Sequence, residues 1–316
     1  MTIDVVVPTI GRTTLRTLFA SIARAAPDFE GRIIVVDDRP RRAHVLDFGD
    51  LDSAIAERVV VVESGGRGPA AARNAGWRRS EAQWIAFLDD DVIVTADWYR
   101  DLRSDLAACV ERCAGSQGNV TVPLDPRRKP TDWERNVAAL ETSAWITADM
   151  AYRRPVLNEL GGFDERFRRA YREDADFALR VRRAGYELVK GRRRTIHPVR
   201  AADPWISVRL QAGNADDVLM DALHGRDWRR NAQAPQGAWP EHAKTAAAAV
   251  VATVAAASWA ALTARFAWRR IAPGPRTPLE TAAMLATSVV IPFAACYHRL
   301  RGYAALSRWR STDANG

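Results

Sequence analysis

Four short apolar runs, each ending in a polar or glycine residue, constrain this chain most. They span residues 3–7, 32–36, 59–62 and 84–88, and lead into Pro8-Thr9, Asp37-Asp38, Glu63-Ser64-Gly65-Gly66 and Asp89-Asp90-Asp91. Runs of this length, bounded by charge or turn residues, read as buried strands. Helical patterns separate them: one starts at Thr13 or Thr14 and reaches about residue 26, one covers 69–79 with Pro69 near its first turn, and one follows over 97–112. Strands alternating with helices imply βαβ units, hence an α/β fold with a mostly parallel sheet flanked by helices. Thr9, Asp37, Asp38, Gly66 and Asp89 then fall on one edge of that sheet. In open α/β sheets this edge is where ligands bind.

The rest of the chain is less regular. Residues 121–123 and 145–152 are further strand candidates, 155–160 is a short helix closed by Gly161-Gly162, and 173–184 is a strong helix ended by Gly185. Residues 190–194 read as a basic loop before His197-Pro198. After about residue 230 the composition shifts. The expected division is a catalytic domain over 1–230, a linker over 231–243 and an apolar, basic helical region over 244–316. Within that region, 245–264 has no charge and the length for a bilayer crossing, whereas 281–297, with Pro292, is marginal. A two-pass hairpin would put Arg265, Arg269, Arg270 and Arg276 on the far side, against the positive-inside tendency. The tail is basic too, with Arg299, Arg301, Arg308 and Arg310. Three arrangements follow: a spanning hairpin, helices lying in the interface with arginines on anionic lipid, or a soluble helical cap. Membrane association at the cytoplasmic face is the expectation, with a soluble cytoplasmic protein as the alternative.

The net charge of +8 suits nucleic acid, an anionic membrane surface or a phosphorylated substrate, and the scattered arginines select none of them. Three cysteines, Cys109, Cys113 and Cys296, suggest neither a disulfide framework nor a zinc site. A reducing compartment is the default. No basic segment followed by an apolar one precedes Val5, so a cleaved export signal is not expected.

Asp89-Asp90-Asp91 carries the first chemical signal. Adjacent carboxylates repel unless a cation lies among them, and Mg²⁺ or Mn²⁺ commonly bridges carboxylates to substrate phosphates. Asp89 and Asp91 are the expected ligands of a divalent metal that holds a diphosphate; alternation turns Asp90 away from both. A solvated acidic turn is the plain alternative. The glycine-rich turn Gly65-Gly66-Arg67-Gly68 enters a helix and can offer backbone N–H groups to an anion, or be an ordinary tight turn. Asp37-Asp38 can accept hydrogen bonds from a base or ribose, or simply end a strand. Glu173, Asp174 and Asp176 open a helix, where the dipole favours anions. One of them can instead serve as a general base for an acceptor hydroxyl, kept ionised by Arg168, Arg169 and Arg172. His197 is either a satisfied loop residue or a further metal ligand.

Taken in order, Val7-Pro8-Thr9, Val36-Asp37-Asp38, Ala72-Arg73-Asn74-Ala75-Gly76, Phe87-Leu88-Asp89-Asp90-Asp91, Gly161-Gly162-Phe163-Asp164-Glu165 and Glu173-Asp174 resemble the family 2 glycosyltransferases. The likeness covers about residues 2–200. It implies the GT-A fold, a nucleotide-diphospho-sugar donor, inversion at the anomeric carbon and a divalent metal, Mn²⁺ or Mg²⁺. Under that resemblance the donor nucleotide falls to Pro8, Thr9, Asp37, Asp38, Gly66, Arg73, Asn74 and Asp89. The metal falls to Asp89 and Asp91, with His197 where some members place a metal-binding histidine. Asp174 becomes the general base and Glu173 helps to orient the acceptor.

Two departures matter. Arg39-Pro40-Arg41-Arg42 stands where the family usually has a Gly-Ser turn, and there is no Gln-x-x-Arg-Trp sequence of the processive synthases. Transfer of one or a few residues to a hydroxyl acceptor, lipid-linked or on a cell-envelope glycan, is therefore expected, with no nucleic-acid partner. The competing classes are a nucleotidyltransferase, for which Pro8-Thr9-Ile10-Gly11-Arg12 is a poor loop, and a non-catalytic basic module, which leaves both acidic clusters unexplained.

Overall fold

The computed structural model describes residues 1–41, 45–51 and 53–313. Arg42 and the side chains of Arg308 and Arg310 lie outside the described residues. The chain divides into two compact units, residues 1–123 with 140–198, and residues 124–139 with 199–316.

The first unit is built on one eight-stranded sheet. Its strands are β1 (Ile3–Thr9), β2 (Ile33–Asp37), β3 (Val59–Glu63), β4 (Trp84–Leu88), β5 (Ile93–Val94), β6 (Cys113–Thr121), β7 (Asp149–Arg153) and β8 (Glu187–Ile196), in the order β3-β2-β1-β4-β7-β6-β8-β5. The first four pair in parallel, as the apolar runs predicted. β7 is antiparallel to both β4 and β6, β8 is parallel to β6, and β5 closes the edge antiparallel to β8. The main helices of this unit are α1 (Thr14–Ala25), α2 (Pro69–Trp77), α3 (Trp98–Ala107), α4 (Arg154–Glu159) and α5 (Glu173–Arg183). Val6, Ile34, Val36 and Phe87 of the sheet meet Phe163 and Phe177 in one buried cluster. Phe163 stands edge-on to Phe87 at 5.3 Å and packs 5.0 Å from Phe177, so the Gly161-Gly162-Phe163 turn is fastened to both β4 and α5.

Three readings need correction. Residues 190–194 are not a basic loop but the middle of β8. Inward and outward residues alternate there, Arg193 and Thr195 being buried and Arg192 and Arg194 exposed. The period of two was hidden because an inward residue is an arginine. Residues 145–152 enter the sheet only at Asp149, after Trp145 with a left-handed backbone at φ 65° and a turn at Thr147-Ala148. Cys109 and Cys113 are joined as a disulfide across the turn from α3 to β6.

Arg193 is fully buried. Its Nε donates to Asp149 at 2.7 Å, and its Nη1 donates to Asp105 at 3.2 Å and to the Ser116 hydroxyl at 2.9 Å. Trp98 Nε1 donates to the other oxygen of Asp149 at 2.9 Å. β6, β7, β8 and α3 thus share one ionic knot. Gly191 leaves room for it, because a β-carbon there would collide with the Asp105 carboxylate. Buried charges are tolerable only when paired and hydrogen-bonded.

The second unit is helical. Its main helices are α6 (Asn214–His224), α7 (Trp239–Val250), α8 (Ala252–Ile271) and α9 (Pro278–Asp313), with the short helix Asp132–Ala138 alongside. The boundary expected at residue 230 falls inside this unit, and the expected linker runs into α7. The uncharged stretch 245–264 is not one helix, because it breaks at Val251 between α7 and α8. Among the described residues, only α9 contains a helix long and apolar enough to cross a membrane, by length and composition.

The ionic knot makes a stability prediction. Arg193→Met leaves the Asp149 and Asp105 carboxylates without their buried counter-ion, and breaking a buried pair costs about 3–5 kcal/mol. Denaturant unfolding should show a loss of that order. A loss within experimental error would show that the knot contributes little.

Candidate active site

β1 and β4 are adjacent, and the chain proceeds from β1 outward to β2 and β3 before returning to β4. Their C-terminal ends therefore flank a topological switch point. Beyond Leu88 the chain leaves the sheet through the acidic triplet.

The three acids do different work. Asp90 turns back into the protein. It accepts the Thr9 hydroxyl at 2.5 Å and Arg12 Nη1 at 2.7 Å. Thr9 Oγ1 also accepts from the Gly11 N–H at 3.0 Å, so this side chain is occupied within its own chain. Pro8 lies in β1 opposite Val36. With Asp90 anchored, Asp89 and Asp91 present their carboxylates elsewhere. One ligand atom each of Asp89, Asp91 and His197 lies within 4.8 Å of the others. His197 arrives because β5, two residues after Asp91, pairs with the end of β8, Ile93 opposite Ile196. The His197 N–H is fixed on the Thr121 carbonyl at 2.8 Å, and its Nε2 lies 3.4 Å from Asp91 Oδ1. Its Nδ1 is buried without a hydrogen-bond partner.

This donor set fits a divalent cation. Two carboxylates and one imidazole, whose Nε2 faces Asp91, suit Mn²⁺ or a related ion.

Arg73 of α2 connects this corner to the second acidic cluster. It is buried, and donates from Nη2 to Asp89 Oδ1 at 3.0 Å and from Nη1 to Glu173 Oε1 at 2.8 Å. Glu173 and Asp174 form the first turn of α5, entered through Arg172 in the left-handed region at φ 76°. Burial is the first cause raising the pKa of both carboxyls, and Glu173 is pushed up to about 8 with help from the neighbouring Asp174 charge. Arg73 opposes the rise in both. Asp174 is half-buried and accepts the Ala175 N–H at 2.7 Å.

Other sequence-selected residues hold the protein together at this edge. Asp38 accepts from Ser64 Oγ at 2.6 Å and from the Arg67 and Gly68 N–H groups, each at 2.9 Å. Two amides of the glycine-rich turn are thus directed at a protein carboxylate. Gly66 has φ 72° and lies against Pro40. Asp37 is gripped by Arg39, Nε at 2.8 Å and Nη2 at 2.6 Å. Asn74 donates to the Phe163 carbonyl at 2.8 Å and accepts the Phe163 N–H at 2.9 Å, clamping the Gly161-Gly162-Phe163 turn to α2. A β-carbon on Gly162 would strike the Asn74 amide. Sequence reading gave no role to Arg39 or to Tyr152, whose buried hydroxyl has no partner and is held protonated by burial and by the Asp174 charge. The arginine-rich turn after β2 was the available signal for Arg39.

The sequence pattern described as glycosyl transferase family 2 matches residues 4–161, half of the chain. This chain therefore belongs to that family. It is 27% identical over 173 residues to the pre-mycofactocin glycosyltransferases of two Mycobacterium tuberculosis strains, CDC 1551 / Oshkosh and ATCC 25618 / H37Rv. That match covers 50% of this chain and spans only 35% of the relatives' length. Among solved structures, the chain resembles the mannosyltransferase PcManGT from Pyrobaculum calidifontis, solved in complex with GDP-Man and Mn²⁺. The TM-score is 0.53 at 17% identity, over 94% of this chain and 86% of that one. The fold is the GT-A arrangement, with a mixed sheet flanked by helices.

Arg73 sets a pH prediction. A carboxyl with a raised pKa loses its proton only at higher pH, and Arg73 holds the rise in check. In Arg73→Met the acid limb of the pH–rate profile should move to higher pH. Arg73→Lys should move it less. An unmoved or lowered limb in Arg73→Met would contradict the coupling.

Proposed function

We propose that this chain is a metal-dependent, inverting and non-processive glycosyltransferase. It moves a sugar from a nucleotide-diphospho-sugar to a hydroxyl of a lipid-linked or cell-envelope acceptor, at the cytoplasmic face of a membrane. The observation that carries the reading is the Arg73 bridge. It joins a corner able to hold a divalent ion to a carboxylate pair with raised pKa. Raised carboxyl pKa values next to a specific charged partner are a mark of acid–base sites. The relatives are named glycosyltransferases, and the solved neighbour holds GDP-Man and Mn²⁺, which supports a nucleotide-sugar donor and a metal here.

In this mechanism Asp174 accepts the proton of the acceptor hydroxyl as its oxygen attacks the anomeric carbon. The bond from that carbon to the diphosphate oxygen breaks, and the nucleoside diphosphate leaves with the electron pair. A single displacement inverts the configuration. Asp89, Asp91 and His197 would hold the cation, which when bound supplies charge stabilisation to the leaving diphosphate. Glu173 and Arg73 orient the base and keep the two halves of the site in register. Asp37, with Arg39 upon it, lies at the end of β2 and is the proposed base-recognition element, with Thr9, Pro8, Gly66 and Asn74 shaping that edge.

The test is release of nucleoside diphosphate from a panel of nucleotide-sugars, with Mn²⁺, with Mg²⁺ and with chelator. Asp174→Asn should lower kcat by about 10²–10⁴ with little change in donor KM. Asp89→Ala and Asp91→Ala should abolish the response to metal, and His197→Ala should raise the metal concentration needed for half-maximal rate. Undiminished turnover in both Asp89→Ala and Asp174→Ala would rule the mechanism out.

A further inference from the structure

α9 is apolar on both of its sides. A helix on the surface of a soluble unit turns its apolar side inward and its polar side to water. The inward side of α9 carries Met284, Ile291 and Ala295, and among them the polar Thr287, Ser288 and Arg299, all buried. Arg270 Nη1 donates to the Thr287 hydroxyl at 2.8 Å and to the Ser288 hydroxyl at 2.9 Å, while its Nη2 donates to Asp132 at 3.0 Å. Arg299 Nη2 donates to Asp221 of α6 at 2.9 Å. The outward side carries Leu285, Val289, Val290, Phe293, Tyr297 and Leu300, all exposed. Steps of three and four residues put them on one stripe along the helix. Contiguous exposed apolar surface of this kind marks an interaction site.

The charge of the region identifies what covers the stripe. Between His242 and Thr312 the sole acid is Glu280, against nine Lys and Arg residues, of which Arg270 and Arg299 are turned inward. Glu280 accepts the Asp132 N–H, so it faces back into its own unit. Arg265, Arg276 and Arg301 are exposed, and Arg301 stacks over Tyr297 on the stripe itself. An apolar stripe with an interfacial tyrosine and a mostly basic surround is complementary to a bilayer with acidic headgroups. The inward anchors argue against crossing. A spanning α9 would have to leave Arg270, Asp132 and Asp221 behind at mid-helix.

We propose that the outer stripe of α9 seats the C-terminal unit in one leaflet of an anionic membrane, lying in the interface without spanning it. This deepens the membrane part of the proposed function and does not depend on glycosyl transfer. The test uses the full-length protein, sedimented with vesicles of phosphatidylglycerol and phosphatidylcholine and with vesicles of phosphatidylcholine alone. Binding should favour the acidic vesicles, weaken in high salt and be released by alkaline carbonate. The double variant Val289→Asp/Phe293→Asp should bind at least about tenfold more weakly. Arg265→Glu/Arg301→Glu should lose the preference for acidic lipid with the apolar stripe intact. Circular dichroism and melting curves establish that each variant is folded. Carbonate-resistant membrane pellets would overturn the proposal in favour of a spanning helix. Absence of vesicle binding would overturn it too, and a solution dimer dispersed by Val289→Asp/Phe293→Asp would then identify a second copy as the cover. Nucleoside diphosphate release, assayed without membranes in the same preparations, separates the two readings. Binding without release sinks the transferase, and release without binding sinks the docking surface.

Discussion

One guanidinium, that of Arg73, sits between carboxylates belonging to different parts of the chain. Asp89 belongs to the end of β4 and Glu173 to the start of α5. Removing the Arg73 guanidinium and the Glu173 carboxylate from water is costly, and the cost is offset only when they meet in good geometry, while Asp89 keeps part of its surface exposed. Arg73 therefore does not merely decorate the site. It obliges α2, β4 and α5 to converge, and Asn74 beside it fixes the turn that leads to α5. Asp89 and the Glu173-Asp174 pair then share one electrostatic environment, in which the Asp89 charge helps to raise the Asp174 pKa.

A second buried arginine performs a related task on the far side of the sheet. Arg193 locks β8 against β6, β7 and α3 through Asp149 and Asp105. Because β8 is locked, its last residues reach β5, and His197 is delivered next to Asp91. The third candidate ligand thus depends on an ion pair well removed from it in sequence.

The sheet's first half was legible because its strands are continuous apolar runs, and β1 to β4 form where those runs stand. The acidic clusters were legible because charge at a strand end or helix start is conspicuous. Strand β8 was not, since an inward arginine erases the hydrophobic alternation that would announce it. Nor does sequence tell whether a polar side chain faces a ligand or its own protein. Thr9, Asp38 and Asn74 were selected for the donor, and each of these side chains is engaged by the chain itself. The C-terminal stretches were misjudged for a related reason. Length and lack of charge ranked 245–264 above 281–297, but helix continuity, which they do not register, reverses the order.

The acidic triplet has a consequence for how this chain can change over generations. Asp90 faces Thr9 and Arg12 while Asp89 and Asp91 face the other way, so the three letters are read in a fixed frame. A substitution within β4 alters packing by a few atoms. Insertion or loss of one residue there would exchange the two orientations, since a one-residue slip turns every side chain over. The strand can therefore exchange one buried side chain for another of similar volume but cannot change in length.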